Sequence, residues 1–377
     1  MRIGMIAPAF PPAIGGMEEL ARNLARALAR TDDVTVCTLR DRHDPGAPFP
    51  IVARLTGEPE HDARELAAQE TNVDLWLGMQ ASTVLLARRL TRPFFVYCHG
   101  NDFLNPWEAH AAATWVGHQL SRAPFFWRYA LDAQARLKQL RLRPGFRHVR
   151  HAFANSHATA ARLSQSMRIA SSRVTVIPPG VDDAFFQDGD RSATDRLCLL
   201  TVSRLPSNSR KNVDGVLRAI AQLRDLPVSY TVVGDGDGRA HLEGLVRQLG
   251  LETRVRFMGA VDRQTLLRCY RESNLFILAA KTSTTDIEGF GIVYLEASAS
   301  GVPVIASKGG GVTDAVSEGV NGLLLPSSEP DQIAAGIRRF WQTRESFSSD
   351  RVRAFADAFR WPRIASRLRH ALAEQMQ

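Results

Sequence analysis

No apolar run in the 377 residues approaches the roughly 20 needed to cross a bilayer, so a helical membrane span is not expected. Cysteine is scarce. Cys37, Cys98, Cys198 and Cys269 stand far apart in no metal-ligand spacing, which points to reduced thiols and a cytosolic setting. The opening Met1-Arg-Ile-Gly-Met-Ile-Ala7 carries one basic residue and an apolar stretch too short for a secretory signal, so it reads as a first strand. A G-x-G-x-x-G fingerprint is missing after that strand; the loop has Gly15-Gly16 instead, so a classical dinucleotide site is not supported. No nucleic-acid motif is present, and nucleic acid is not an expected partner.

The composition, 45% hydrophobic and 23% charged, is that of an ordinary globular chain, and the length suits two domains. The net charge of +8 is uneven. From Trp115 to His151 eight Arg or Lys residues face one acid, Asp132. In residues 105–150 Trp107, Trp115, Phe125, Phe126, Trp127 and Tyr129 alternate with Arg122, Arg128, Arg136, Lys138, Arg141 and Arg143. Ala133, Leu137 and Leu140 make a stripe at helical spacing. That composition fits contact with an anionic membrane surface; a single-stranded nucleic acid or a core helix with a solvated basic face would also fit it.

Apolar strands alternate with helical periodicity twice over. Arg2–Ala7, Val34–Leu39, Val73–Leu77, Phe94–Cys98, Ala152–Ser156 and Val174–Ile177 read as strands of a first parallel sheet. Pro178-Pro-Gly-Val-Asp182 and the polar stretch Gln187–Asp195 mark a linker. A second alternation runs from Leu197–Val202 through Tyr230–Val233, Val255–Met258, Leu275–Leu278 and Val302–Ile305 to Gly322–Leu325, and Trp361–Ala373 has helical spacing. Two doubly wound α/β domains imply a cleft between them, faced by the carboxyl ends of both sheets. His99, directly after the strand Phe94–Cys98, lies where such sheets bind ligands.

The segment Glu288-Gly-Phe-Gly-Ile-Val-Tyr-Leu-Glu296 follows the apolar run Leu275–Leu278 and opens a helix from Val293 to Ala299. Gly289 and Gly291 leave amides open at a helix start, where the macrodipole favours an anion. A carboxylate, a nest of amides and a second carboxylate suit a sugar joined to a diphosphate joined to a ribose. Taken alone, the segment reads equally as a glycine-bearing turn between two solvated glutamates.

Taken in order, several pieces resemble the retaining GT-B glycosyltransferases of family 4. They are Pro12-Ala-Ile-Gly-Gly-Met-Glu18, Tyr97-Cys-His-Gly100, Val176-Ile-Pro-Pro-Gly-Val181, Ser203-Arg204, Val232-Val-Gly-Asp-Gly236, Gly310-Gly311 and an E-x7-E signature at Glu288 and Glu296. The resemblance implies a GT-B fold with an N-terminal acceptor domain over 1–180 and a nucleotide-sugar domain over 181–358. A C-terminal helix over 359–377 would cross back to the first domain.

It also implies a hexosyl transfer, mannose-like and from a GDP-sugar first, a UDP-sugar second, to a lipid-linked or glycan acceptor. Gly15 and Gly16 would lie near the donor diphosphate, and Arg204 and Lys211 would pair with its oxygens. Glu288 would grip the sugar hydroxyls, the amides around Gly289, Phe290, Gly291 and Ile292 would cover the phosphate, and Glu296 would accept from the ribose. Val261 matches a base-contacting position, and His99 would stabilise an oxocarbenium-like transition state. Six residues, Leu205 to Arg210, separate Arg204 from Lys211, so Arg210 is an alternative phosphate cation. Two cations serve a diphosphate leaving group without a metal, and no cofactor is expected; Asp235-Gly-Asp237 sits in a glycine-rich turn rather than a metal motif. The implied place is cytoplasmic, peripheral on the inner face of a membrane. A GT-B-fold epimerase and a non-catalytic nucleotide-sugar-binding protein are the other functions this pattern fits.

Overall fold

The computed structural model describes residues 1–13, 15–105, 124–187, 196–207, 210–283 and 286–377, with the backbone alone of 124–132. Trp107, Trp115 and Arg122 fall outside the described residues, as do the side chains of Phe125, Phe126, Trp127, Arg128 and Tyr129 and the linker positions 188–195.

The chain divides into two compact units. The N-terminal unit holds Met1–Gly180, Ser283–Gly289 and Trp361–Gln377. Its strands are β1 (Arg2–Ile6), β2 (Asp33–Leu39), β3 (Ile51–Leu55), β4 (Leu75–Gly78), β5 (Phe94–Cys98), β6 (His151–Ala154) and β7 (Val174–Val176). They form one parallel sheet in the order β3-β2-β1-β4-β5-β6-β7. The order reverses between β1 and β4, which opens a crevice at their carboxyl ends. Phe94-Phe-Val-Tyr-Cys98 is buried along its whole length because helices cover both faces of the sheet. The helices are α1 (Gly16–Leu28), α2 (Pro59–Ala67), α3 (Val84–Ala87), α4 (Asn101–Leu104), α5 (Pro124–Phe146) and α6 (His157–Met167). Neither β3 nor α2 is among the sequence expectations: β3 is an edge strand of mixed burial without the alternation that marks an interior one.

In α5 the buried stripe is Ala135, Leu142 and Phe146, continued by Val149. Gly145 lies so close to α3 that a β-carbon there would meet the Val84 carbonyl oxygen at 2.5 Å. Ala133, Leu137 and Leu140, expected as the helical stripe, face outward instead, Leu137 65% and Leu140 54% exposed. The core face of α5 is therefore formed by Ala135, Leu142 and Phe146 and not by that stripe. Two of the basic residues assigned to the outer face turn toward the protein. Lys138 donates to the Asn105 carbonyl at 3.1 Å and Arg143 to the Ser166 carbonyl at 2.8 Å.

The C-terminal unit holds Val181–Thr282 and Phe290–Arg360. Its strands β8 (Leu197–Val202), β9 (Val228–Val233), β10 (Val255–Gly259), β11 (Leu275–Leu278), β12 (Val304–Ser307) and β13 (Gly322–Leu325) make a parallel sheet ordered β10-β9-β8-β11-β12-β13. The helices are α7 (Val213–Ala221), α8 (Arg239–Leu249), α9 (Arg263–Arg271), α10 (Ile292–Ala299), α11 (Val312–Ala315), α12 (Pro330–Thr343) and α13 (Ser349–Asp357). Asp262 caps α9 by accepting from the Thr265 amide at 2.8 Å, as the sequence suggests. One core cluster gathers Leu199, Val216, Leu217, Ile220 and Ile337; the other gathers Phe276, Tyr294, Leu295 and Val304.

The last helix, α14 (Trp361–Met376), belongs to the N-terminal unit, where it packs on α1 through Ile364, Leu368 and Leu372. Gly180 is obligatory here: a β-carbon would stand 2.4 Å from the Trp361 ring. Arg369 adds an ion pair to Asp32 at 3.1 Å.

Candidate active site

In the N-terminal unit the ends of β1, β4 and β5 are tied together. The Met79 amide donates to the Ile6 carbonyl at 2.8 Å, and the Met79 carbonyl accepts from His99 Nε2 at 2.7 Å. A carbonyl only accepts, so Nε2 is the donor in this bond. His99 is half-buried, its ring 5.2 Å from that of Tyr97. Asp102 fixes the turn that follows: Oδ1 accepts from the His99 amide at 2.9 Å and Oδ2 from the Ala81 amide at 2.8 Å. Gly100 at φ +97° makes that turn possible.

The segment Ser283–Gly289 lies against this same strand end. Gly289 sits on the His99 backbone, where a β-carbon would meet the His99 carbonyl oxygen at 2.2 Å and Asn155 Nδ2 at 2.9 Å. Asn155 Nδ2 donates to that carbonyl at 3.1 Å. Ile287, 2% exposed, joins the apolar cluster of Cys98, Phe103 and Leu163. Asn101 Nδ2 donates to Asp286 Oδ1 at 2.8 Å while its Oδ1 accepts from the Ile287 amide at 3.2 Å. Between these anchors Glu288 is buried. The structure thus brings His99, Glu288 and Gly289 together. Gly15 and Gly16 start α1 in the same unit. Gly16 faces open space, whereas the buried Glu18 folds back so closely that a β-carbon on Gly15 would meet its Oε2 at 2.3 Å.

Arg204, Arg210, Lys211, Val261, Phe290, Gly291, Ile292 and Glu296 belong to the C-terminal unit. Arg204 is exposed just beyond β8, on a loop built backbone to backbone against the glycine-rich turn after β9. A β-carbon on Gly234, at φ +124°, would stand 1.9 Å from the Ser203 carbonyl oxygen; the Leu205 amide donates to the Asp235 carbonyl at 2.9 Å. Asp237 staples the same loop, accepting from the Ser207 amide at 3.0 Å and hydroxyl at 2.6 Å, and the Ser207 hydroxyl holds its pKa below the usual carboxylate value. Asp235 turns elsewhere, to the Gly236 amide and Arg239. Arg210 and Lys211 are half-buried, and the Arg210 carbonyl accepts from the Lys281 amide at 2.7 Å.

Asn212 explains how those cations are placed. It is left-handed at φ 58°, buried, and donates from Nδ2 to the Ala279 carbonyl at 3.0 Å and the Ser328 carbonyl at 2.7 Å. Beyond β11, which runs parallel beside β8, Gly291, at φ +85°, starts α10, so the Ile292 and Val293 amides lie in the first turn, where the helix supplies no acceptor. Glu296 accepts from the Tyr270 hydroxyl at 2.8 Å. Burial, together with the Glu296 charge, pushes the Tyr270 phenol well above its ordinary pKa, so it stays a donor. Val261 is half-buried beside Gly259. Sequence reasoning missed Asn101, Asn155, Asn212 and Tyr270. The signals were an asparagine after His99-Gly100 and another directly ahead of a helix.

Two parallel-sheet units with polar groups gathered at strand carboxyl ends define the GT-B class, and the comparisons agree. Residues 183–353 match the model of glycosyl transferases group 1 and residues 14–185 that of glycosyltransferase family 4. The chain belongs to the family 4 glycosyltransferases. It is 28% identical over 373 residues to the GDP-mannose-dependent alpha-(1-6)-phosphatidylinositol monomannoside mannosyltransferase of Mycolicibacterium smegmatis, covering 87% of this chain and 86% of that one. It is 34% identical over 234 residues to a D-inositol 3-phosphate glycosyltransferase of Geodermatophilus obscurus. That match covers 57% of this chain but only 50% of the relative. Among solved structures, Anabaena HepE in complex with UDP superposes with a TM-score of 0.77 at 19% identity, covering 99% of this chain and 100% of that one. The lipopolysaccharide outer core galactosyltransferase WaaB superposes with a TM-score of 0.75 at 16% identity, covering 100% of both chains.

Gly289→Ala tests whether this packing sets activity. The added carbon is expected to push the Glu288 segment off the His99 backbone, lowering turnover about 100-fold in a protein that still folds by circular dichroism. Wild-type turnover would show that the close approach is not needed.

Proposed function

We propose that the protein is a retaining hexosyltransferase that moves a sugar, mannose-like first, from a nucleotide diphosphate-sugar to a hydroxyl of a lipid-linked or glycan acceptor. The observation that carries the reading is the seating of the Glu288 segment on the His99 strand end, which sets a carboxylate and an imidazole on one short stretch of structure. In this reading Glu288 holds the hydroxyls of the transferred sugar and His99 faces its ring. Arg204 and Lys211, with Arg210 as the alternative cation, take the diphosphate charge that grows as the C1–O bond breaks. The amides at the start of α10 cover the phosphate, Glu296 accepts from the ribose, and Val261 faces the base. The acceptor oxygen forms the new bond to C1 on the face the diphosphate leaves, and its proton departs with the diphosphate.

A GDP-sugar is favoured by the mannosyltransferase relative, which matches over most of both chains; the UDP and UDP-glucose named for HepE keep UDP-sugars second. No metal enters the scheme, because cations of the chain meet the leaving charge and Asp235 and Asp237 are engaged by their own loops. A donor panel read by thermal shift is expected to show stabilisation by GDP-mannose above UDP-glucose, and nucleotide release is expected to need an acceptor and to survive EDTA. Loss of activity in EDTA would contradict the metal-free scheme; acceptor-independent conversion of the sugar would favour an epimerase.

Among the described residues no helix is long and apolar enough to cross a membrane. The outer stripe of α5, exposed Ala133, Leu137, Leu140 and Pro144 beside exposed Arg136, Arg141 and Arg147, supports a peripheral seat on an anionic bilayer. That seat fits a lipid-linked acceptor and a cytoplasmic, inner-face location. Flotation with phosphatidylglycerol vesicles is expected, with Leu137→Ser plus Leu140→Ser cutting the floated fraction while leaving the fold intact. Flotation indifferent to those changes and to lipid charge would refute the seat.

A further inference from the structure

We propose that Asn101 is a positioning residue for Glu288, holding it in register with His99. This rests on the reading of Glu288 as the group that grips the transferred sugar. Asn101 is the first residue of α4, two residues beyond His99, on a turn made rigid from both sides. Asp102 binds the His99 and Ala81 amides, and the next two residues, Phe103 and Leu104, are buried. From that platform the Asn101 carboxamide makes two bonds of opposite polarity to consecutive residues. It donates to Asp286 Oδ1 and accepts from the Ile287 amide, and Glu288 comes next in the chain.

Only a carboxamide of this length supplies both functions here. Aspartate has the acceptor but no N–H, and would set a second carboxylate against Asp286; serine does not reach. Ile287, fixed in the apolar cluster, and Gly289, seated on the His99 carbonyl, prevent the segment from sliding along the turn. The position of Glu288 relative to His99 is therefore set by a side chain bonded to the two residues that precede Glu288.

The pair can be exchanged. Placing aspartate at 101 and asparagine at 286 reverses the donor and acceptor between them and leaves the 101 side chain an oxygen for the Ile287 amide. The test uses full-length protein, with nucleotide release from GDP-mannose or UDP-glucose, whichever turns over, and thermal shift with the matching free nucleotide. Asn101→Asp is expected to lower kcat about 100-fold with nucleotide binding unchanged. The double change Asn101→Asp with Asp286→Asn is expected to restore kcat to within about 3-fold, a coupling that a merely structural role would not show.

Three results would overturn the proposal: wild-type kcat in Asn101→Asp while Glu288→Gln is inactive, a folded double variant as slow as Asn101→Asp, or equal losses of nucleotide binding and kcat. Wild-type kcat in Glu288→Gln would instead remove the reading beneath it, and the positioning role with it.

Discussion

The His99 carbonyl oxygen accepts a hydrogen bond from Asn155 and occupies the place that a side chain on residue 289 would need. Around that oxygen the N-terminal unit assembles the end of β5, the end of β6 and a segment from far along the chain. The approach is open only to glycine, and the residue before it is the buried Glu288. Backbone packing at Gly289, together with the Asn101 side chain, thus decides where the carboxylate sits. Burying a carboxylate is costly unless hydrogen-bonding or charged groups meet it, which is a reason to hold its backbone firmly.

The C-terminal unit solves a similar problem with similar means. Gly234 lets the loop bearing Arg204 lie on the turn after β9, and Asn212 accepts a left-handed backbone so that Arg210 and Lys211 precede α7 in a fixed conformation. Asn212 gains two hydrogen bonds to carbonyls in exchange for that conformation. Tyr270 does for Glu296 what a buried neutral donor does best, orienting a carboxylate without neutralising it.

Much of this was legible in the residue order. The interior strands announced themselves as apolar runs, and Gly289 and Gly291 marked a strand-to-helix turn. The edge strand β3 and helix α2 escaped because neither shows a clean period. The stripe Ala133-Leu137-Leu140 was periodic, yet period alone does not say which way a face points; only packing placed Ala135, Leu142 and Phe146 inward. The asparagines were missed for a different reason. Their roles depend on residues distant in sequence, 185 positions away for Asn101 and Asp286, and no local pattern carries that information.

The central claim is that His99 and Glu288 act on one sugar ring as a unit. A double-mutant cycle in kcat over His99→Ala and Glu288→Gln measures it most directly. The account predicts that the double variant loses far less than the product of the two single losses, since either change alone spoils the same transition-state contact. Losses that multiply fully would contradict it, because they would place the two residues in independent steps.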